Sequence, residues 1–392
     1  MSNIKATDHY KKTDVQHLVH TLLQLGGSLM FWRMPGSDEK ILLVCNSGAS
    51  VRDEISLQET TPGFVLAPFN PSQSKYFFRA DLVFRFKGDQ LIDGPDLPNT
   101  TVSKKQITDG AGSKESSFYT SEKEKKVTQP SFLDIVKSCI EKTRTQSVEK
   151  IVPTTFREIE LSGKFDAVKL FSLLCDKHPQ AFVSLVTSPE TGTWVGATPE
   201  LLVSVDSTNK FRTIALAGTQ KLNPDIDPKS VAWTQKEIEE QALVSRYIIN
   251  CFKKIRVREY AEHGPYTVTA GSLLHLRTDY EIDMKEINFP ELGSVMLKLL
   301  HPTSAVCGMP FEPAFDFLQK NEGYDREFYS GYLGPVNFNG ESKLFVNLRC
   351  LQLLENKVRI YAGAGVTADS IAEKEVDEVE MKIKTLSQLI QS

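Results

Sequence analysis

The sequence predicts an α/β chain of the α+β kind, in which a large mixed sheet carries helices on its outside. Three observations lead there. Short apolar runs rich in Val, Ile, Phe and Trp, bounded by Gly, Pro, Asn or Ser, recur along the chain as strands. Between them lie amphipathic stretches with apolar residues at helical spacing. The two kinds of segment follow one another without the regular βαβ alternation that a parallel sheet requires. At 392 residues, 40% hydrophobic and 24% charged, the chain can bury a full core. A single domain over residues 1–392 is the expectation.

In order, Val15, Leu18, Leu22 and Leu25 place a helix over 14–26, closed by Gly26 and Gly27. Strands follow over 28–32 and 41–45, separated by the turn-rich 34–39, and then over 63–69 and 80–86. From about 99 to 130 Ser, Thr, Lys, Glu and Gly dominate, so an exposed, mobile loop is expected. Phe132, Ile135, Val136, Cys139 and Ile140 mark a helix over 131–146. Residues 150–153 combine β-branched residues with Pro153, which suggests a strand at a sheet edge. A helix over 165–177 precedes a hairpin of 182–186 and 193–197 around 189–192. Strands over 201–205 and 211–217, a long helix over 229–254, a strand region over 267–276 and a helix over 290–300 complete this half. Val376, Val379, Ile383, Leu386 and Ile390 form the buried stripe of a last helix.

Composition excludes several classes of function. With 46 basic and 50 acidic residues the net charge is −4, which leaves no basic footprint for nucleic acid. Six scattered cysteines without a C-x-x-C pair read as reduced, buried thiols. The N-terminus lacks an apolar signal region, and no stretch approaches 18 apolar residues. A soluble, cytoplasmic protein without nucleic-acid or membrane partners, monomeric or weakly dimeric, is expected.

The chemistry concentrates in two helices and the C-terminal run. Glu237 and Glu240 lie three apart on one predicted helix, and Glu375 and Glu378 repeat that spacing on the last, with Lys382 one turn on. Four carboxylates in one pocket would need a cation, since two like charges 4 Å apart repel by roughly 4 kcal/mol at an effective dielectric of 20. All-oxygen ligation favours Mg²⁺. A strand carrying Arg349 and the glycine turn Tyr361-Ala362-Gly363-Ala364-Gly365 add groups suited to a small anion. Another run of residues, Glu322…Arg326…Tyr329…Gly331…Gly334, precedes them.

These motifs resemble the signature of the chorismate-utilising enzymes. Lys236 to Gln241 is similar to that family's K-[DE]-x-x-E-H helix, and Glu375…Glu378…Lys382 to its terminal E-x-x-E-T-x-x-K helix. Gly196-Ala197-Thr198-Pro199-Glu200 resembles its G-A-[ST]-P-E turn, Lys150 its K-[VI]-V strand, Ala217-Gly218-Thr219 its A-G-T turn, and His275 its H-L-x-T segment. The resemblance covers about residues 149–392, and the first 130 match only in places such as 63–69. It implies two large, mainly antiparallel sheets flanked by helices. Glu240 and Glu378 would hold Mg²⁺ directly, and Glu237 and Glu375 through water. Arg349 and Tyr361 would bind the enolpyruvyl carboxylate of chorismate, near Gly363 and Gly365. Lys150 would activate water and Glu200 act as general acid, which points to isochorismate formation, for menaquinone or a siderophore. Ala305, in His301-Pro302-Thr303-Ser304-Ala305, matches members that stop at isochorismate; pyruvate-eliminating members carry Thr there. Salicylate synthase, the ammonia-using anthranilate and aminodeoxychorismate synthases, and a non-catalytic relative are the alternatives. Gln241, Val379 and Thr155 depart from the usual His, Thr and Arg.

Overall fold

Strand Ser28–Arg33 is buried along its whole length because both of its faces are covered. Leu29 and Phe31 pack with the helices Val15–Gln24 and Ala167–Lys177. Met30 and Trp32 point the other way, into a second core with Phe64, Phe182, Trp194 and Phe345. The two-residue period of a strand thus feeds two cores at once. Such strands read as continuous apolar runs, not as alternating ones.

The computed structural model describes residues 15–95, 118–121, 129–223, 227–270 and 273–390. Most of the loop expected over 99–130 lies outside them. The strands form two nine-stranded sheets. From edge to edge the first contains Gln90–Asp93, Leu82–Lys87, Glu39–Cys45, Ser28–Arg33, Phe182–Ser188, Gly192–Thr198, Cys350–Leu353, Lys357–Gly363 and Thr154–Glu160. The second runs Ala261–Ala270, Leu273–Asp283, Lys210–Lys221, Leu201–Val205, Ser342–Val346, Tyr332–Val336, Gly63–Ala67, Lys75–Arg79 and Ser50–Arg52. Neighbours pair antiparallel throughout, as in the expected hairpin of Phe182–Ser188 with Gly192–Thr198. The single mixed sheet read from element order is therefore corrected to two antiparallel ones, as the family resemblance implied.

The sheets pack face to face, with helices outside both. Phe182 and Phe345 stack across the gap at 4.2 Å, worth about 0.5–1.5 kcal/mol beyond their burial. Ala372–Ile390 covers the first sheet through Val379, Ile383, Leu386 and Leu389. Gln235–Lys254 covers the second through Val244, Ile248, Cys251 and Phe252. All six cysteines are buried and unpaired. Among the described residues no helix is long and apolar enough to cross a membrane.

Three features of this layout place the site. Between Gly192–Thr198 and Leu201–Val205 the chain passes from the first sheet to the second, and between Ser342–Val346 and Cys350–Leu353 it passes back. The crossings are stitched together, Val346 N–H to the Glu200 carbonyl at 2.9 Å and Ala197 N–H to the Arg349 carbonyl at 3.1 Å. Arg349, expected on a strand, sits instead at the bend with φ +48°. Residues 150–153, expected at a sheet edge, give a two-residue strand, Lys150–Ile151, paired with Gly308–Met309 in a third, minimal sheet.

Candidate active site

Around these crossings a cavity opens, walled by Lys150, Glu200, Ala217, Gly218, Thr219, His275, Ala305, Arg349, Tyr361, Gly363, Gly365 and Lys382. Every catalytic and substrate-facing position expected from the sequence is thus in one place. Glu240 and Glu378 join them.

Lys150 is 1% exposed, and its Nζ lies 2.8 Å from Glu240 Oε1. Gly365 makes room for that pair, because a Cβ there would sit 2.7 Å from Glu240 Oε1 and 2.8 Å from Lys150 Cε. The Gly363 carbonyl accepts a hydrogen bond from Lys382 Nζ at 2.8 Å. The sequence reading took this glycine turn as suited to a small anion; here the space at Gly365 is filled by Glu240 and Lys150, and that at Gly363 by Thr154 and the Pro153 carbonyl.

Glu200 is buried, and burial pushes its carboxyl up to about 7 against the opposing pull of Lys150, Arg349 and Lys382. A carboxyl that keeps its proton near neutrality can act as a general acid. His275 is fixed in one form. Its Nδ1 lies 2.8 Å from the Gly218 carbonyl, which can only accept, and its Nε2 lies 2.8 Å from Arg349 Nη2, which can only donate. The ring is therefore neutral with its proton on Nδ1. Burial and the Arg349 charge hold its pKa down to about 3. Arg349 itself, half-buried, is lowered by desolvation to about 10 and stays cationic at neutral pH.

The structure corrects two expectations. Tyr361 donates its hydroxyl to Gln352 Oε1 at 2.7 Å, and its ring stacks with Trp194 and Tyr329. That hydroxyl is already committed within the core. Tyr329, which the sequence reading left without a role, also lines the cavity. The four carboxylates, in turn, do not gather. Glu237 closes a capping box with Thr234 and accepts from Gln220 Nε2 at 2.9 Å. Glu375, 1% exposed, pairs with Lys236 at 2.5 Å, and burial pushes its carboxyl up in spite of that lysine.

Among the described residues no three His, Cys, Asp or Glu side chains converge as a ready-made metal site. Glu240 and Glu378 nevertheless fit a hard cation, since Mg²⁺ commonly takes one or two protein carboxylates and completes its shell with water and substrate oxygens. Lys150 balances Glu240, and Lys382 lies 2.7 Å from Glu378. Burial works against the charge on Glu240, yet Lys150, Lys382 and Lys236 hold its carboxyl below the usual range.

The three departures from the family pattern serve packing. Gln241 donates its amide to the Ala215 carbonyl at 3.2 Å and Thr278 Oγ1 at 3.0 Å, tying its helix to two strands. Val379 is core, and Thr155 Oγ1 donates to Gln129 Oε1 at 2.9 Å.

Residues 92–391 match the family model described as chorismate binding enzyme. The chain belongs to the chorismate-binding enzymes. Within that family it is similar to isochorismate synthase EntC of Escherichia coli strain K12, 29% identical over 263 residues. The match covers 66% of this chain and 66% of that protein, so it spans just under two thirds of the relative's length. The fold is similar to that of MenF, the menaquinone-specific isochorismate synthase of Escherichia coli, with TM-score 0.73 and 18% identity over 97% of this chain and 92% of that one. It is also similar to anthranilate synthase component I of Streptococcus pneumoniae, with TM-score 0.61 and 18% identity over 88% and 81% of the two chains. The chorismate-binding fold is thus common to relatives with different reactions, and the side chains in the cavity have to distinguish them.

Proposed function

We propose that this chain is an isochorismate synthase, an isomerase that converts chorismate to isochorismate. Water adds at ring C2, the double bonds shift, and the C4 hydroxyl leaves as water. One water enters and one leaves, so the product is an isomer and no nucleotide is needed. The observation that carries the reading is the buried pair Lys150 and Glu200 on one cavity, with Glu200 holding its proton near neutrality. The reaction needs Lys150 as the free amine, which takes the proton of the attacking water, while Glu200 gives its proton to the departing hydroxyl. Arg349, braced by His275, takes the enolpyruvyl carboxylate; its guanidinium fork suits a carboxylate. Mg²⁺ on Glu240 and Glu378 would bind the ring carboxylate and offset the negative charge gathered there.

Lys150 also weighs against the ammonia-using reactions of related enzymes, in which the nucleophile needs no lysine to deprotonate water. Whether the product goes to menaquinone or to a siderophore depends on the enzyme that consumes it. Incubating the protein with chorismate, with and without Mg²⁺, and separating the products tests the proposal; isochorismate is expected, and anthranilate or aminodeoxychorismate formed with ammonia would overturn it.

A further inference from the structure

Behind the cavity wall a buried ion pair bonds to the two segments that carry Lys150 and Ala305, and it has no part in the chemistry above. Glu322 and Arg326 are 2% and 1% exposed. Arg326 Nε donates to Glu322 Oε2 at 2.7 Å and Nη2 to Oε1 at 2.5 Å. The remaining bonds reach outward. Arg326 Nη1 donates to the Val306 carbonyl and Nη2 to the Val152 carbonyl, each at 2.8 Å. Glu322 Oε1 accepts from the Thr154 N–H at 2.8 Å and from its hydroxyl at 3.0 Å. The Thr154 hydroxyl is also 2.6 Å from that of Tyr324, and the Phe69 ring lies 4.1 Å from the guanidinium.

Lys150 needs such support. It stands on a two-residue strand whose partner, Gly308–Met309, is equally short. The ladder is framed by two bonds, Glu149 N–H to the Met309 carbonyl at 2.7 Å and Val152 N–H to the Cys307 carbonyl at 2.9 Å, and then the segments part. The bonds Ile151 exchanges with Val366 on the other edge, at 3.0 and 2.8 Å, do not reach the Ala305 loop. A pairing this short does not hold its position alone. Where it ends, Arg326 bridges the open carbonyls of both segments and Glu322 takes the next N–H on one of them.

We infer that Glu322 and Arg326 are positioning residues, which set the spacing between the Lys150 strand and the Ala305 loop that the reaction requires. The inference rests on the isochorismate synthase reading. Only a planar, forked cation can serve one carboxylate and two carbonyls together; a lysine keeps the charge and loses the reach.

The test compares Arg326→Lys and Tyr324→Phe with the parent protein. Measurements are kcat and KM for isochorismate formation, chorismate binding by calorimetry, and the thermal midpoint. A small misplacement of a catalytic group can cost about 100-fold in rate. Arg326→Lys is therefore expected to lose at least about tenfold in kcat per folded molecule, with chorismate affinity within about threefold. Tyr324→Phe removes only the hydroxyl beside Thr154, and should lower kcat by about two- to fivefold with affinity unchanged. A purely structural role predicts lower thermal midpoints with unchanged kcat per folded molecule, and that result overturns the inference. If Arg326→Lys fails to fold, Tyr324→Phe decides by the same split. A parent protein that binds chorismate but forms no isochorismate overturns the functional reading, and this inference with it.

Discussion

Glu200→Gln isolates the group whose environment departs furthest from solution among those proposed to react. In the folded protein burial pushes Glu200 from the ordinary 4.5 to about 7. The folded state therefore binds the proton more tightly than the unfolded chain. The sign follows: below the unfolded value the carboxyl costs the fold nothing, and the cost grows as pH rises towards 7 and levels off above it. A shift of roughly 2.5 units corresponds to about 3 kcal/mol in all. About 2 kcal/mol of that falls between pH 5.5 and 8.5. Glutamine has the same shape and no charge to desolvate. Urea denaturation of both proteins without added metal should show the variant gaining about 2 kcal/mol on the parent over that range. In the same variant kcat should fall by at least about 100-fold, while in the parent kcat/KM should decline as pH rises through about 7. Parallel stability curves would show that Glu200 is already ionised and would refute the acid role.

Lys150→Ala should lower kcat by at least about 100-fold with a smaller change in chorismate affinity; a loss confined to affinity would make Lys150 a binding residue. Glu240→Gln and Glu378→Gln should each leave a folded protein with nearly no Mg²⁺-dependent turnover. Mg²⁺ should raise the thermal midpoint of the parent and not of these variants, and an equal rise in all three would remove both residues from the proposed site. Ala305 lines the cavity with a methyl group and offers the ring no hydroxyl. The parent should therefore release no pyruvate above background in a coupled assay, whereas Ala305→Thr should acquire measurable release; pyruvate in step with chorismate consumption by the parent would indicate salicylate synthase.

Much of the fold was legible because local rules set it. The helix Val15–Gln24 and the hairpin at 182–198 follow from periodicity and turn residues. Sheet order did not follow, since Ser28–Arg33 pairs with Phe182–Ser188 more than 140 residues away, and no local pattern encodes that. The helix Phe311–Asn321 was missed although Phe311, Ala314, Phe315 and Leu318 stand at helical spacing, because Pro310 and Pro313 at its start read as a turn. Arg349 looked like a strand residue because apolar residues precede and follow it; its positive φ belongs to a crossing between sheets. The fate of Glu237 could have been read, as Thr234-Gln235-Lys236-Glu237 is a capping-box sequence. That of Glu375 could not, because Lys236 is 139 residues away. Motif spacing thus identified the cavity wall, while the partners that occupy each carboxylate depend on tertiary contacts.

The central claim is that water, activated beside Lys150, replaces the C4 hydroxyl of chorismate with a new hydroxyl at C2. Running the reaction with Mg²⁺ in ¹⁸O-labelled water and analysing the product by NMR and mass spectrometry tests it directly. The account predicts isochorismate carrying one labelled oxygen, at C2, with the enolpyruvyl group intact. Unlabelled isochorismate, or a product without the C2 hydroxyl, would contradict it.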